Sequence, residues 1–376
     1  MNHYYNPVHT IQGKGCAGEL PKLLDGLYPQ GCQVLLLAWD DSVFGLPAIR
    51  EMEKNPAVHV KHCCFQESNP TVEQLFSLYS QTADFNPQVV LAVGGGSVMD
   101  VGKSLCCLYG KRIESPDSLR SIIQEKRYGT PQAKWIGVPT TAGTGSEVTC
   151  WATIWDPAKD MKRSVELQEN YAYAALADSS LIQGMPMGLA VSSALDAVAH
   201  AVESYWARHS NMTSKKLALG AIKTILSHMD SLLAGEESAY DYMSQGSMLA
   251  GLAFSNTKTT ACHSISYPLT MRCKIPHGTA VSLLLAPVME RNFGAIENRE
   301  MLLEALGVQG PKELGDKIRG ILRKASVPAS LKEWGIRRED LKELAALGIT
   351  KGRADNNPVE LTPVQIEEIL EDIYEA

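Results

Sequence analysis

Apolar positions along the chain change their period near its midpoint. In the first half they form short unbroken runs: Val34-Leu35-Leu36-Leu37-Ala38, Val89-Val90-Leu91-Ala92-Val93 and Trp135-Ile136-Gly137-Val138, the last closed by Pro139. Runs of this length predict strands buried on both faces, as in a parallel sheet. Between the first two, residues 71–79 carry helical spacing and are opened by Asn69-Pro70. Strands alternating with helices predict an α/β layer fold. Beyond Leu176 strand-like runs all but disappear, and helical periodicity governs 189–208, 214–233, 238–253 and 280–292. The tail from Pro311 reads as further helices, with Thr362 as an N-cap before Pro363 at the first helical position. Glycine and proline punctuate the change of character at Gly184-Met185-Pro186. The expected organisation is therefore an α/β domain over 1–184, with a parallel sheet, and an all-α domain over 185–376. No internal repeat or low-complexity segment is evident.

Length and charge narrow the partners. A chain of 376 residues is long enough for two cores. A formal charge of −7 argues against a nucleic-acid surface, though not against a local basic pocket. No apolar run approaches the roughly 20 residues that span a bilayer. The opening residues have neither a basic-then-apolar leader nor a transit-peptide composition. The nine cysteines include no Cys-x-x-Cys, and the adjacent pairs Cys63-Cys64 and Cys106-Cys107 are poor disulfide partners, as in a reducing compartment. The expectation is a soluble cytoplasmic protein with a small-molecule partner and no nucleic acid or membrane.

Candidate chemistry gathers in two places. In the second half, Asp196 and His200 lie four residues apart, on one face of the helix expected there; His263 and His277 follow. One hard oxygen and three borderline nitrogens suit Fe²⁺ or Zn²⁺ better than Ca²⁺ or Mg²⁺. Each histidine taken alone is more simply a hydrogen-bonded core or surface residue; the set together favours a metal. In the first half, Gly94-Gly95-Gly96-Ser97-Val98-Met99-Asp100 follows a strand and opens a helix. Glycines there let a phosphate approach the backbone, and helix N–H groups favour the anion. Gly102-Lys103-Ser104 does not complete an NTPase loop, because five residues rather than four separate it from Gly96. Nor does the stretch have the spacing of the Rossmann fingerprint. A second loop, Pro139-Thr140-Thr141-Ala142-Gly143-Thr144-Gly145-Ser146-Glu147, again follows a strand and offers hydroxyl donors, or is a self-satisfied turn. Asp40, after the first strand, stands where a carboxylate could bind an adenosine ribose, or is a surface turn residue.

Assembled, these motifs resemble the iron-dependent (group III) alcohol dehydrogenases, related in fold to dehydroquinate synthase and glycerol dehydrogenase. The resemblance runs from Gly13-Lys14-Gly15 through Asn69-Pro70-Thr71 and both glycine-rich loops. It continues through Asp196, His200, His263 and Ile275-Pro276-His277-Gly278 to Asn357-Pro358. It implies an α/β dinucleotide-binding domain joined to an all-α metal- and substrate-binding domain, a dehydroquinate synthase-like fold. Asp196, His200, His263 and His277 would hold Fe²⁺ or Zn²⁺, with His263 and His277 at the reacting centre. Gly95, Gly96 and Ser97, aided by Asn69 and closed by Asp100, would cradle the pyrophosphate. Thr140, Thr141 and Thr144 would meet phosphate and ribose, and Lys162 and Leu181 would complete the cofactor site. A carboxylate at Asp40 repels a 2′-phosphate, so NAD(H) is expected over NADP(H). The implied reaction is reversible hydride transfer between a nicotinamide and an alcohol or aldehyde, in a homodimer.

One departure concerns Tyr267, where many members of that family carry a second histidine four residues after the position of His263. A tyrosine cannot replace it as a proton acceptor near neutral pH. Short runs, among them Ser266-Tyr267-Pro268-Leu269-Thr270, resemble the hydroxyethylphosphonate dehydrogenase branch, which implies phosphonoacetaldehyde as substrate. A phosphonate needs fixed cations. Arg163, Arg208, Arg272 and Lys274 flank the motifs, and at least one is expected to point into the metal pocket. The competing readings are a dehydrogenase of neutral alcohols or diols, a lyase of the dehydroquinate synthase type, and a non-catalytic binding protein.

Overall fold

The structure, a computed structural model, describes residues 3–159, 161–348 and 354–375. The chain divides into two compact units: one made of 6–141 and 146–182, the other of 3–5, 142–145 and the chain from Gln183 onward. The last crossing, between residues 182 and 183, lies two residues before the boundary expected after 184; the four-residue excursion at 142–145 has no counterpart in the apolar pattern.

The first unit is built on β1 (His9–Gln12), β2 (Cys32–Ala38), β3 (Val58–Cys64), β4 (Val89–Gly94), β5 (Lys134–Pro139) and β8 (Ala174–Ala177). They form one parallel sheet in the order β1-β8-β5-β4-β2-β3. The period-2 alternation of a strand explains the unbroken apolar runs. In β2, Val34, Leu36 and Ala38 pack on one face with Leu20 and Leu24 of α1 (Leu20–Leu27) and Ile49 and Met52 of α2 (Pro47–Glu53). Leu35 and Leu37 pack on the other with α3 (Val72–Thr82), α4 (Gly96–Leu108) and α5 (Pro116–Gln124). A strand covered on both sides has no position left for a polar residue.

Two features depart from the sequence reading. Strands β1, β3 and β8 are absent from it: His59, Lys61 and His62 break the apolar run of β3, which is covered on one edge only, and β1 and β8 are each only four residues long. A separate antiparallel ribbon, β6 (Trp151–Asp156) with β7 (Met161–Glu166), was also not anticipated.

In the second unit the described elements are helical. They are α6 (Met187–Trp206), α7 (Met212–Ser227), α8 (Met229–Leu233), α9 (Glu237–Thr257), α10 (Ala261–Met271), α11 (His277–Asn292), α12 (Arg299–Leu306), α13 (Pro311–Lys324), α14 (Leu341–Leu347) and α15 (Pro363–Asp372). Helix α6 is central, with nearly every residue from Ala190 to Trp206 buried. The expected helix over 214–233 breaks in two at His228. Thr362 caps α15 by accepting from Gln365 N–H in a capping box, with Pro363 at its first position, as its sequence indicates.

Candidate metal centre and cofactor loops

Helical periodicity assembles the metal candidates. On α6, Asp196, His200 and Glu203 are spaced four and three residues apart and share one face. His263 sits in the first turn of α10, and His277 is the first residue of α11, directly after Pro276. Nε2 of His263 lies 3.5 Å from Asp196 Oδ1, and Nε2 of His277 lies 4.0 Å from the same oxygen. Nδ1 of His200 lies 3.8 Å from Asp196 Oδ2. Ligand atoms of Asp196, His263 and His277 all fall within 4.8 Å of one another, a group that small side-chain adjustments could close around one ion. His200 stands beside this trio, its ring stacked on Phe254 at 4.2 Å and 4.3 Å from the His263 ring.

Charge fits a cation at Asp196 and His200, and satisfaction fits one at the cluster, while burial lowers His263 but Glu203 and Asp196 on its two sides shift it up. Burial alone would drive Asp196 toward its neutral acid, but His200, His263 and His277 around it hold the carboxyl well below its usual range. Burial pushes His200 down to about 4 against the pull of Asp196, so its ring is neutral at pH 7. An ionised carboxylate and a neutral imidazole are the states a metal requires of its ligands. Asp196 Oδ1, His200 Nδ1 and His263 Nε2 are buried with no hydrogen-bond partner among the described residues. Orphaned buried polar atoms are costly without an occupant, and two of these, Asp196 Oδ1 and His263 Nε2, belong to the trio that comes together, with His200 Nδ1 beside it. The side chain of His277 is 33% exposed against 5% for Asp196 and 3% for His263, so the centre opens on the side of His277.

Sequence reasoning gave Glu203 no role in the site. It is fully buried, and its carboxylate accepts from Thr260 Oγ1 (2.7 Å), from Cys262 N–H (2.7 Å) and from Nδ1 of His263. Its place one turn beyond His200, on the ligand face of α6, was the signal that could have found it.

The glycine-rich loops leave the sheet side by side. Gly94 at the end of β4 pairs with Pro139 at the end of β5, and Thr140 N–H donates to Gly94 O (3.1 Å). On the other side of β4, Ala38 of β2 pairs with Val93, so Asp40 leaves the same carboxyl edge. The chain turns outward to β3 from β2 and then crosses to β4, which makes this edge a topological switch point, where doubly wound sheets bind ligands. Gly95 is the N-cap of α4 and supplies no side-chain cap, unlike Thr71 of α3 or Ser115 of α5. A Cβ at Gly95 would lie only 3.4 Å from the Thr141 side chain, filling the space between the two loops. Ser97 Oγ accepts from Asn69 N–H (3.1 Å), and Asn69 adopts a left-handed φ of 58°, which ties that turn to the loop. Thr140, Thr141 and Thr144 are half-buried in a run of buried neighbours. Lys162 Nζ lies 4.2 Å from the Trp155 ring centroid, and Leu181 packs against the α1–α2 side of the sheet.

The structure adds to the sequence reading at three points. Asp100 does not face a ligand: Oδ1 accepts from Ser146 Oγ (3.0 Å) and Oδ2 from Thr153 N–H (2.9 Å). With the buried Lys103, which donates to Ser146 Oγ, Thr149 Oγ1 and Trp151 O, it braces α4 against the segment that follows the second loop. Gly143 and Gly145, to which the sequence reading gave no role, pack closely on helices: a Cβ at Gly143 would lie 2.8 Å from Ser193 O, and one at Gly145 would lie 2.4 Å from the Gly251 Cα. Among the described residues, no hydrogen bond or ion pair joins the four expected cations to the metal cluster. Arg163 is buried in the first unit with its Nε on Asp156 (2.7 Å); Arg208, Arg272 and Lys274 are exposed, Arg208 donating to Pro358 O (3.3 Å) and Arg272 to Glu343. Asp40 is partly committed as well, accepting from Ser42 N–H (2.8 Å) through Oδ1.

Glycine-rich loops at the carboxyl edge of a parallel sheet, with an aspartate–histidine cluster in a helical unit, are the layout of the metal-dependent dehydrogenases. The sequence model of iron-containing alcohol dehydrogenases matches residues 7–179, and that of the C-terminal part of the Fe-containing alcohol dehydrogenase family matches 190–374. The chain belongs to the iron-containing alcohol dehydrogenase family, is an oxidoreductase, and has its dehydroquinate synthase-like fold. It is 28% identical to the NADPH-dependent butanol dehydrogenase of Clostridium saccharobutylicum, over 100% of this chain and 98% of that protein. It is 27% identical to the lactaldehyde reductase of Escherichia coli, over 96% and 95%. The sulfoacetaldehyde reductase of Bifidobacterium kashiwanohense, solved with NAD⁺, shares the fold with a TM-score of 0.87, at 24% identity over 100% and 99% of the two chains.

Proposed function

We propose that the protein is a metal-dependent, nicotinamide-linked reductase of small aldehydes that runs in reverse on primary alcohols. The observation that carries this reading is the clustering of Asp196, His263 and His277, with the partnerless buried atoms Asp196 Oδ1 and His263 Nε2 among their ligand atoms, in a chain of this family. Asp196, His200, His263 and His277 would hold Fe²⁺ or Zn²⁺. Gly95, Gly96 and the uncapped start of α4 would take the pyrophosphate, with Asn69 and Ser97 fixing the turn beside it and Thr140, Thr141 and Thr144 donating to cofactor oxygens. Lys162 and Leu181 would border the nicotinamide half. The ion supplies Lewis acidity toward the carbonyl and the dihydronicotinamide supplies the hydride. The role of this chain is to fix both groups. Asp40 keeps a carboxylate at the ribose edge, which favours NAD(H). Tyr267 lies one turn beyond His263 on α10 and offers a phenol at the position where many members of the family carry a histidine, a hydrogen-bond donor rather than a base. The open side of the cluster, at His277, is where a substrate oxygen gains access.

The finer reading, phosphonoacetaldehyde as substrate, finds little support in the fate of the four cations. A small aldehyde with no charged tail is the better fit. The test is NADH oxidation by the Fe²⁺-reconstituted protein under anaerobic conditions, with propanal and phosphonoacetaldehyde in parallel. Comparable kcat/KM values, or a preference for propanal, are expected. A preference of a hundredfold or more for the phosphonate would reverse the substrate assignment. A protein that binds the metal but oxidises neither NADH nor NADPH with any small aldehyde would remove the reductase reading.

A further inference from the structure

We infer that Glu203 is the positioning residue that makes His263 a metal ligand, by fixing which ring nitrogen carries the proton. The inference rests on the metal set proposed above and goes beyond it, since Glu203 is not itself a ligand.

All three hydrogen bonds to the Glu203 carboxylate are accepted, none donated. Oε1 takes the Thr260 hydroxyl and the Cys262 N–H; Oε2 takes Nδ1 of His263. The Thr260 hydroxyl can donate inward because its own lone pair is engaged by Trp206 Nε1–H (2.9 Å). The Cys262 amide can only donate. The network therefore has one consistent polarity, running from Trp206 through Thr260 to Glu203. The Oε2 bond places a proton on Nδ1 and leaves the lone pair on Nε2, which faces Asp196 Oδ1 at 3.5 Å with no hydrogen-bond partner. A carboxylate behind a ligating imidazole holds the ring angle, selects the tautomer and raises the basicity of the ligating nitrogen. Asp196 and Glu203 are seven residues apart on α6, so one helix grips the His263 ring from both ends.

The same polarity makes Glu203→Gln an informative change, because the amide keeps the shape but turns one oxygen into a donor. An NH₂ at the Oε1 position would confront the Cys262 N–H. At the Oε2 position it would donate to Nδ1, force the proton onto Nε2 and aim an N–H at the place where the ion should sit. The shape is preserved and the ligand is lost.

The experiment measures Zn²⁺ and Fe²⁺ affinity by competition with a chromophoric chelator, without reference to turnover. Nitrogen-15 spectra of the histidine rings in the Zn²⁺ form are recorded alongside. In the wild type, His263 is expected to show a protonated Nδ1; ligation through Nδ1 would overturn the inference. Glu203→Gln is expected to weaken metal binding about 10- to 100-fold. Affinity within threefold of wild type, with only a lowered melting temperature, would show a purely structural carboxylate and overturn it too. Should Glu203→Gln fail to fold, Glu203→Asp takes its place: it keeps two acceptors on a shorter arm, and unchanged affinity there refutes the assignment. Trp206→Phe removes only the outermost bond and is expected to stay within threefold. If the wild type binds neither metal, the proposed function fails rather than this inference.

Discussion

Gly278 ties the packing of two helices to the geometry of the metal cluster. It is the second residue of α11, next to His277, and a Cβ built on it would lie 2.0 Å from Ser192 O and 2.9 Å from the Asp196 Cβ. The obstacles are the backbone of α6 and the root of a proposed ligand, neither of which can turn away. Ordinary contact begins near 3.4 Å, so Gly278→Ala must open the α6–α11 contact by about 1.4 Å. His277 Nε2 and Asp196 Oδ1 are 4.0 Å apart. Two metal–ligand bonds of about 2.1 Å reach at most about 4.2 Å end to end, with a tolerance of about 0.2 Å. A separation of about 5.4 Å lies beyond that reach. Gly278→Ala is thus expected to lose Zn²⁺ affinity by at least a hundredfold, with about 1–3 kcal/mol of overpacking cost in the metal-free protein. Chelator competition and calorimetric unfolding of the metal-free form read the two effects separately. Gly320→Ala, where nothing lies within 4 Å of the added Cβ, is the neutral control. A Gly278→Ala protein with wild-type affinity and melting temperature would refute the argument, including the claim that His277 and Asp196 share an ion.

Three further outcomes follow from the first unit. Gly95→Ala has room at ordinary contact distance and no left-handed φ, so it is expected to melt like wild type while its NADH dissociation constant rises about tenfold or more; equal NADH binding by titration would remove Gly95 from the cofactor site. Asp40→Ala is expected to raise kcat/KM for NADPH relative to NADH about tenfold, and an unchanged ratio in steady-state assays would discard Asp40 as the selector. Burial raises the Asp156 carboxyl, but bonds from Arg120 and Arg163 outweigh it and hold the folded value below the unfolded one. Its stabilisation is then complete above the unfolded value, near pH 3.9, and is lost as pH falls through the lower folded value. Asp156→Asn is expected to cost about 3–5 kcal/mol at pH 7, because it leaves Arg163 buried beside Arg120, and to flatten the acid limb of a denaturant–pH series. An unchanged acid limb would refute the pairing.

How much of this was legible in the chain depended on how many partners each signal needed. The central strands β2, β4 and β5 need only their own residues: covered on both faces, they are forced to be apolar throughout. The three candidate ligands that come together could be chosen because Asp and His at those spacings carry chemistry regardless of neighbours. The edge strands were not legible, since a strand covered on one side tolerates residues such as His59 and Lys61. Helix α10 was hidden by Pro268, a residue that argues against a helix; here it falls in the third turn, and the chain continues to Met271. Glu203 was invisible as a site residue for a different reason. Its meaning lies in a bond to a side chain 60 positions away, and an acidic residue on a helix ordinarily faces water.

The four cations were chosen for closeness to a motif in sequence, which does not fix direction in space. Arg163 lies beside Lys162 on β7, and strand alternation sends the two to opposite faces. Arg163 pairs across the ribbon with Ile154 and reaches Asp156, two residues further along β6. Its guanidinium is consumed by that carboxylate, and no motif in the sequence marks the parity. Arg208, Arg272 and Lys274 instead occupy turns at helix ends, where long basic chains stay in water. Neutralising the three together is therefore expected to leave the ratio of kcat/KM for phosphonoacetaldehyde over propanal within twofold of wild type, each change costing no more than about 0.5 kcal/mol of stability. A tenfold fall in that ratio, with propanal turnover unaffected, would mean that one of these side chains meets the substrate. The phosphonate reading would then regain its cation.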